Sequence, residues 1–288
     1  MNKNNKQLQQ GIPVPKWMVI GFKTLERLSP YVAMRIAAHI FSKPIKFRTS
    51  RHEKQQSLRC TNTLHHVTKI GENIMVYEWG NAGKRILINH GWSSRGTQMY
   101  QVAEQLHAAG FHVISYDAPA HGGSSGSKTN MLQILEVTKY LKQHYGGFYG
   151  IIGHSLGGGV SFQYTKQSSE VKKLVTIASI DKLSTIFENY TAIIGLRKKT
   201  CVRMTVYFER KYKVKISDYD SYLAAQQITT PTLVIHDEYD YDVNIEAANN
   251  IIKHHKNATL MVTQGLGHSK ILSDPKVIDA ITSFITTP

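Results

Sequence analysis

From residue 61 onward, short runs of β-branched and aliphatic residues alternate with longer segments whose apolar positions recur at helical spacing. That alternation predicts βαβ units around a mostly parallel sheet. Asn73 to Trp79 (NIMVYEW) alternates like a half-buried strand, and Arg85 to Asn89 (RILIN) reads as a buried strand ending at His90-Gly91. A helix over about 96–109 follows, then a strand over Phe111 to Tyr116 that closes on the Gly- and Pro-rich turn Asp117-Ala-Pro-Ala-His-Gly-Gly-Ser. Met131 to His144 places Leu132, Leu135 and Leu141 on a helical face. Gly147 to Gly153 (GFYGIIG) predicts the central strand and 156–168 the helix after it; Lys173 to Ala178, Thr232 to His236 and Thr259 to Val262 supply three more strands.

Two stretches break the alternation. Residues 180–230 separate two strands by about 50 residues, far more than the few typical of such connections, so they predict an inserted cap over the carboxyl ends of the strands. The other stretch is the first 60 residues. Trp17 to Phe41 is apolar but interrupted by Lys23, Glu26, Arg27, Pro30 and Arg35, too broken for a membrane span and without a signal-peptide core, so it reads as mature protein. Ser29-Pro30 has the form of an N-cap followed by proline at the first helical position, which predicts helices over about 16–28 and 30–42, packed on the body. The organisation expected is a basic helical extension over 1–60 and a main domain over 61–288 with the cap inserted at about 180–230.

Charge sharpens this division. The chain of 288 residues carries 35 Lys and Arg against 20 Asp and Glu, a net charge of +15. Residues 1–60 hold 12 basic and 2 acidic residues, residues 181–216 hold 9 and 3, and the remainder is close to neutral. Without a zinc-finger spacing, RNP-type strand or basic heptad, the excess predicts no nucleic-acid partner. A solvated surface, a weak contact with an anionic membrane surface, or attraction for anionic substrate groups are the readings it leaves. Two cysteines, Cys60 and Cys201, exclude a disulfide-stapled scaffold and predict reduced thiols in a cytoplasmic, bacterial-looking protein.

The chemistry concentrates at Gly153-His154-Ser155-Leu156-Gly157, a G-x-S-x-G between a predicted strand and a predicted helix. A sharp turn there projects the serine hydroxyl above the sheet, and small flanking residues let neighbouring chain approach closely. A serine hydroxyl needs a base within hydrogen-bond reach and a carboxylate to orient that base. After Thr232 to His236 comes a run of acids, Asp237, Asp240 and Asp242; after the last strand comes His268 in a Gly-flanked loop. Ser155, Asp240 and His268 then stand in the order nucleophile, acid, base, with Asp237 and Asp242 as rivals for the acid.

Together with His90-Gly91-Trp92 these motifs resemble the α/β-hydrolase superfamily over about residues 61–288, and more narrowly its serine esterases and lipases. The resemblance implies an α/β fold with a mostly parallel central sheet, flanking helices and a small cap. His236, Asp240 and Val243 match the family's H-G-x-x-D-x-x-V pattern, which favours Asp240, although Asp237 replaces the usual glycine. The resemblance also implies that the backbone amides of Trp92 and Leu156 form the oxyanion hole, and that Asp117 and His121 belong to a structural turn. His90 is expected to buttress its loop, and His154 to have no proton-transfer role. Phe187, Tyr190, Ile193 and Ile194 are candidates for the pocket wall or for ordinary helix packing.

Serine at 155 excludes the relatives that use aspartate or cysteine as nucleophile and leaves acyl transfer. The basic cap counts against peptidases that hold a free amino terminus with cap acids. The function expected is hydrolysis of small-molecule carboxylic esters through an acyl-enzyme, without metal or organic cofactor. The alternatives are an acyl-CoA thioesterase or acyltransferase whose basic cap binds an anionic group, and a non-enzymatic membrane-surface or partner-binding protein.

Overall fold

Buried aliphatic runs become the centre of an eight-stranded sheet in a computed structural model, which describes residues 14–47 and 59–287. Residues 1–13 and 48–58 of the basic extension lie outside the described residues. The strands are β1 (Thr61–Val67), β2 (Glu72–Trp79), β3 (Arg85–Asn89), β4 (His112–Tyr116), β5 (Gly150–His154), β6 (Lys173–Ile177), β7 (Thr232–Asp237) and β8 (Ala258–Thr263). Their spatial order is β1-β2-β4-β3-β5-β6-β7-β8. The two β2 contacts, with β1 and β4, are antiparallel and all the others parallel.

Strands β4 to β7 are buried at every position, as expected where helices cover both faces of a parallel sheet. Successive residues serve opposite layers. Leu87, Ile151 and Leu174 face a core shared with α4 (Met131–Tyr145) and α5 (Leu156–Thr165). Ile86, Ile88, Ile152 and Val175 face a second core shared with α3 (Tyr100–Ala108) and the helix over Pro275–Thr286. Strand β1 was not expected, and its composition explains why: TNTLHHV is an edge strand exposed over most of its length, so it lacks the apolar periodicity that marks the others.

The amino-terminal helices form where their caps require. Ser29 accepts a hydrogen bond from the Val32 amide and Pro30 opens the next helix, giving α1 (Lys16–Leu28) and α2 (Pro30–Phe41). These helices pack on the insertion rather than chiefly on the sheet. The insertion supplies α6 (Leu183–Ile193), α7 (Lys198–Tyr212) and α8 (Ser221–Ala225). A third core joins Phe22, Met34 and Ala37 to Phe187, Met204 and Phe208, so residues about 170 apart in sequence build one helical cap. Chain-distant surfaces that are each amphipathic have no other apolar layer to cover them.

Glu26 fastens this arrangement. Buried at 3% exposure on α1, it accepts hydrogen bonds from the Arg197 amide (3.0 Å), Arg197 Nε (3.0 Å) and Thr200 Oγ1 (2.5 Å) at the start of α7. Burial works against its carboxylate, but these donors outweigh that cost and hold its pKa below the usual value. Arg197 is mostly exposed, so its ion pair adds little and the bonds to the helix terminus carry the interaction. Glu26→Ala is therefore expected to weaken α1 docking by about 2 kcal/mol, seen as roughly 30-fold faster amide exchange in α1. Unchanged exchange there would refute the assignment.

Candidate active site

Strained backbone marks one end of the sheet. Of the five non-glycine residues with positive φ among the described residues, Ser93, Ala120, Ser155 and Ala178 follow the carboxyl ends of β3, β4, β5 and β6. Side chains at this end face the crevice where open α/β sheets hold ligands.

Ser155 occupies the turn from β5 into α5 with φ 53 and ψ −119. Its amide donates to the Ile177 carbonyl of β6, which fixes the turn to the sheet. The flanking glycines are sterically required. A Cβ on Gly153 would lie 2.4 Å from the Gly157 carbonyl oxygen, and one on Gly157 would lie 2.2 Å from the Asn89 carbonyl oxygen. The helix start is thus pressed directly on the end of β3.

That contact sets the loop after β3. A Cβ on Gly91 would fall 3.1 Å from the Ser155 Cβ, so the His90-Gly91-Trp92 segment passes directly over the serine. No described hydrogen bond consumes the Trp92 amide, and the Leu156 amide, first in α5, has no intrahelical acceptor. His90 donates from Nδ1 to the Gly91 carbonyl (2.7 Å) and accepts at Nε2 from the Ala118 amide (2.9 Å). His121 donates from Nδ1 to the Pro119 carbonyl and accepts at Nε2 from the Ser93 amide. Both rings must be neutral to make these bonds. Burial pushes His90 down to about 4; burial and then the neighbouring His90 push His121 down to about 3. Asp117 accepts from the Gly96 and Gly123 amides and the Tyr77 hydroxyl, so it is consumed in holding its turn.

The acidic run resolves into three different environments. Asp240, buried at 5%, accepts at Oδ1 from the amides of Asp242 (2.9 Å) and Val243 (3.0 Å), and at Oδ2 from His268 Nδ1 (2.7 Å). Asp237 accepts from Thr263 Oγ1 and the Leu266 and Tyr239 amides, bracing β7 to the loop that carries His268. Burial opposes its charge, but these donors hold it below the usual carboxylate range. Asp242 is exposed and touches Asp240 through its backbone. Of the three, Asp240 is the carboxylate hydrogen-bonded to His268. Asp240, Asp242 and His268 also bring ligand atoms within 4.8 Å of one another, but the Asp240–His268 bond already occupies the central pair.

His268 meets the serine turn through its neighbour. His154 Nε2 donates to the His268 carbonyl (3.0 Å), and the two rings lie 4.7 Å apart. Burial, then the nearby His268, hold His154 well below its ordinary pKa, so it is neutral. The described hydrogen bonds join His268 to Asp240 and His154, not to Ser155.

Above the Trp92 loop sits the cap. The Phe41 ring at the end of α2 stacks on Trp92 at 6.3 Å and lies 4.9 Å from Phe187. Ile45 donates its amide to Ser93 Oγ, tying the extension to the same loop. Of the pocket-wall candidates, Phe187 and Ile194 are buried in the cap core, Tyr190 donates its hydroxyl to the Ala37 carbonyl, and Ile193 is exposed. Phe41 was not singled out in the sequence; nothing local in a helix 50 residues upstream points to Trp92.

Comparison with known proteins agrees with this architecture. A family model described as "alpha/beta hydrolase fold" matches residues 84–195, which include the Trp92 loop and the Ser155 turn. A putative lipase from Acinetobacter baumannii superposes with a TM-score of 0.62 at 19% identity, covering 84% of this chain and 97% of that one. The chain has the α/β-hydrolase fold. Among curated relatives of this chain, a monoacylglycerol lipase of Mycolicibacterium smegmatis is 26% identical over 27% of this chain and 31% of its own. An acyl transferase of Shewanella hanedai is 26% identical over 46% of this chain and 48% of its own. The match thus spans less than half the length of either. Among the described residues no helix is long and apolar enough to cross a membrane.

Two measurements test the geometry. Gly157→Ala must displace backbone rather than a flexible side chain, so it is expected to cost about 3 kcal/mol in urea unfolding. A loss under about 1 kcal/mol would contradict the close approach. The depressed histidines make the unfolded chain the better proton binder below about pH 6.5, so stability falls with acidification from there toward about pH 4. Each contributes a slope of about 1.4 kcal/mol per pH unit, and Asp220, raised to about 6 by burial, opposes part of it. His121→Gln should flatten the decline in melting temperature between pH 6.5 and 5; an equal slope would contradict the neutral-ring assignment.

Proposed function

We propose that this chain is a serine hydrolase that cleaves carboxylic esters through an acyl-enzyme at Ser155. The observation that carries the reading is the pairing of a positive-φ serine at a strand-to-helix turn with a 2.7 Å Asp240–His268 hydrogen bond at the adjoining loop. The names of the matched relatives, a lipase and an acyl transferase, support acyl chemistry in general.

With Nδ1 donating to Asp240, His268 keeps the lone pair on Nε2 and serves as general base. It takes the Ser155 proton as Oγ adds to the ester carbonyl carbon, closing the Ser155–His268 bond when substrate is in place. Negative charge develops on the former carbonyl oxygen, where the Trp92 and Leu156 amides donate; each such donor is worth about 3 kcal/mol in the transition state. The protonated His268 is stabilised by Asp240 and passes its proton to the departing alcohol. Water then repeats the sequence on the acyl-enzyme and releases the acid. No step calls on a cofactor. The aromatic layer of Phe41, Trp92 and Phe187 favours an apolar acyl group of small or medium size.

A thioester or acyl-transfer reaction is the second reading, favoured by the basic cap: residues 181–216 carry 9 Lys and Arg against 3 acids, suited to a phosphorylated carrier. It would give a KM for acyl-CoA that rises steeply with salt, whereas neutral esters would show little salt dependence.

Ser155→Ala is expected to abolish both fluorophosphonate labelling and p-nitrophenyl butyrate turnover, and Asp240→Asn to lower kcat by about 10⁴ by inverting the His268 tautomer. Turnover surviving Ser155→Ala would sink the proposal. A larger loss from Asp242→Asn than from Asp240→Asn would move the acid to Asp242.

A further inference from the structure

We infer that the outer face of the α1–α2 hairpin docks on the surface of an anionic phospholipid bilayer, lying in its plane. On α1 the exposed side bears Trp17, Ile20 and Leu28 at 74%, 64% and 80% exposure, spaced to share one helical face. Its opposite side buries Phe22 and Glu26 against the cap. On α2 the exposed side bears Tyr31, Val32 and Ile36 while Ala33, Met34, Ala37 and Ala38 are buried. The two helices join at the Ser29–Pro30 corner, and Ile40, Ile45 and Phe47 are exposed as well. So many large apolar side chains exposed on two adjoining helices mark an interaction site.

The charge around it selects the occupant. Residues 14–47 contain six Lys and Arg and one acid, Glu26, which is buried beneath the hairpin. Lys16, Lys23 and Arg27 lie along one flank of the α1 stripe. On α2, the exposed His39 ring is held below its ordinary pKa by Lys128, then Lys43, with Lys211 of α7 adding to the effect, so the positive field extends past the hairpin. An apolar stripe with a basic flank and aromatic residues at its margin fits the headgroup boundary of an anionic leaflet. A second copy of this chain would set like charge against like charge across a two-fold interface. At 13 and 12 residues the helices are too short to span, so they lie flat. The docking does not rest on the hydrolase reading.

The test is sedimentation of the full chain with vesicles of phosphatidylcholine containing about one third phosphatidylglycerol, with tryptophan fluorescence following Trp17. The expected result is at least about tenfold tighter binding than to pure phosphatidylcholine, lost at about 1 M salt, where the screening length is about 3 Å. Ile20→Asp with Ile36→Asp, and separately Lys16→Glu with Arg27→Glu, should each weaken binding at least about tenfold. Both pairs should keep the wild-type fluorophosphonate labelling and melting temperature, which separates lost docking from lost folding or lost chemistry. Equal binding to both vesicle types, undiminished binding by the variants, or a solution dimer dissolved by Ile20→Asp with Ile36→Asp would overturn the inference.

Discussion

The start of α5 pressed on the end of β3 is the contact from which the geometry around Ser155 follows. Gly157 lies against the Asn89 and His90 carbonyls, so no side chain can separate helix from strand. A buried polar chain locks the same junction. The Tyr116 hydroxyl donates to Asn89 Oδ1, Asn89 Nδ2 donates to Ser161 Oγ, and that hydroxyl donates to the Gly157 carbonyl. Every member has its partner, so the network rigidifies the junction instead of costing it stability. Two segments, the Trp92 loop and the start of α5 at Leu156, are thereby held beside one serine.

The Asp240–His268 pair is positioned from the opposite side. Asp237 braces β7 to the His268 loop, Asp240 takes two amides from its own turn, and His236 Nε2 donates to the Val243 carbonyl behind it. The two halves meet where His154 donates to the His268 carbonyl. His154 directly precedes Ser155, so one residue couples the Ser155 turn to the His268 loop. Its neutrality matters to the proposed mechanism: a charged imidazole 4.7 Å from His268 would oppose the proton that His268 takes there.

What the sequence made legible was what short-range constraint writes into it. Arg85–Asn89 was expected and observed with the same bounds because a doubly covered strand leaves a continuous apolar run. The Gly153 to Gly157 motif was legible because its glycines answer contacts with backbone rather than with replaceable side chains. Asp240 stood out from Asp237 and Asp242 only through a family pattern, since three acids in one turn differ in which amides face them and not in type. Strand β1 was missed for lack of periodicity, and the union of extension and cap because Glu26–Thr200 and Phe41–Trp92 pairings leave no local trace.

That union changes what the net charge means. The two basic segments, far apart in sequence, are packed together, so their like charges repel and the cap must be held by something else. The apolar core around Phe22, Met34, Met204 and Phe208 supplies it, since each buried aliphatic or aromatic side chain contributes about 1.5–3 kcal/mol while exposed charges repel weakly through water and salt. Glu26 adds the one carboxylate of the hairpin at the point where α7 presents the Arg197 amide and the Thr200 hydroxyl. With that acid buried, nothing of opposite sign is left on the described surface of residues 14–47. Folding therefore converts a diffuse excess of lysine and arginine into a polarised molecule: a near-neutral sheet domain beneath a cap whose outward side is apolar and positive together.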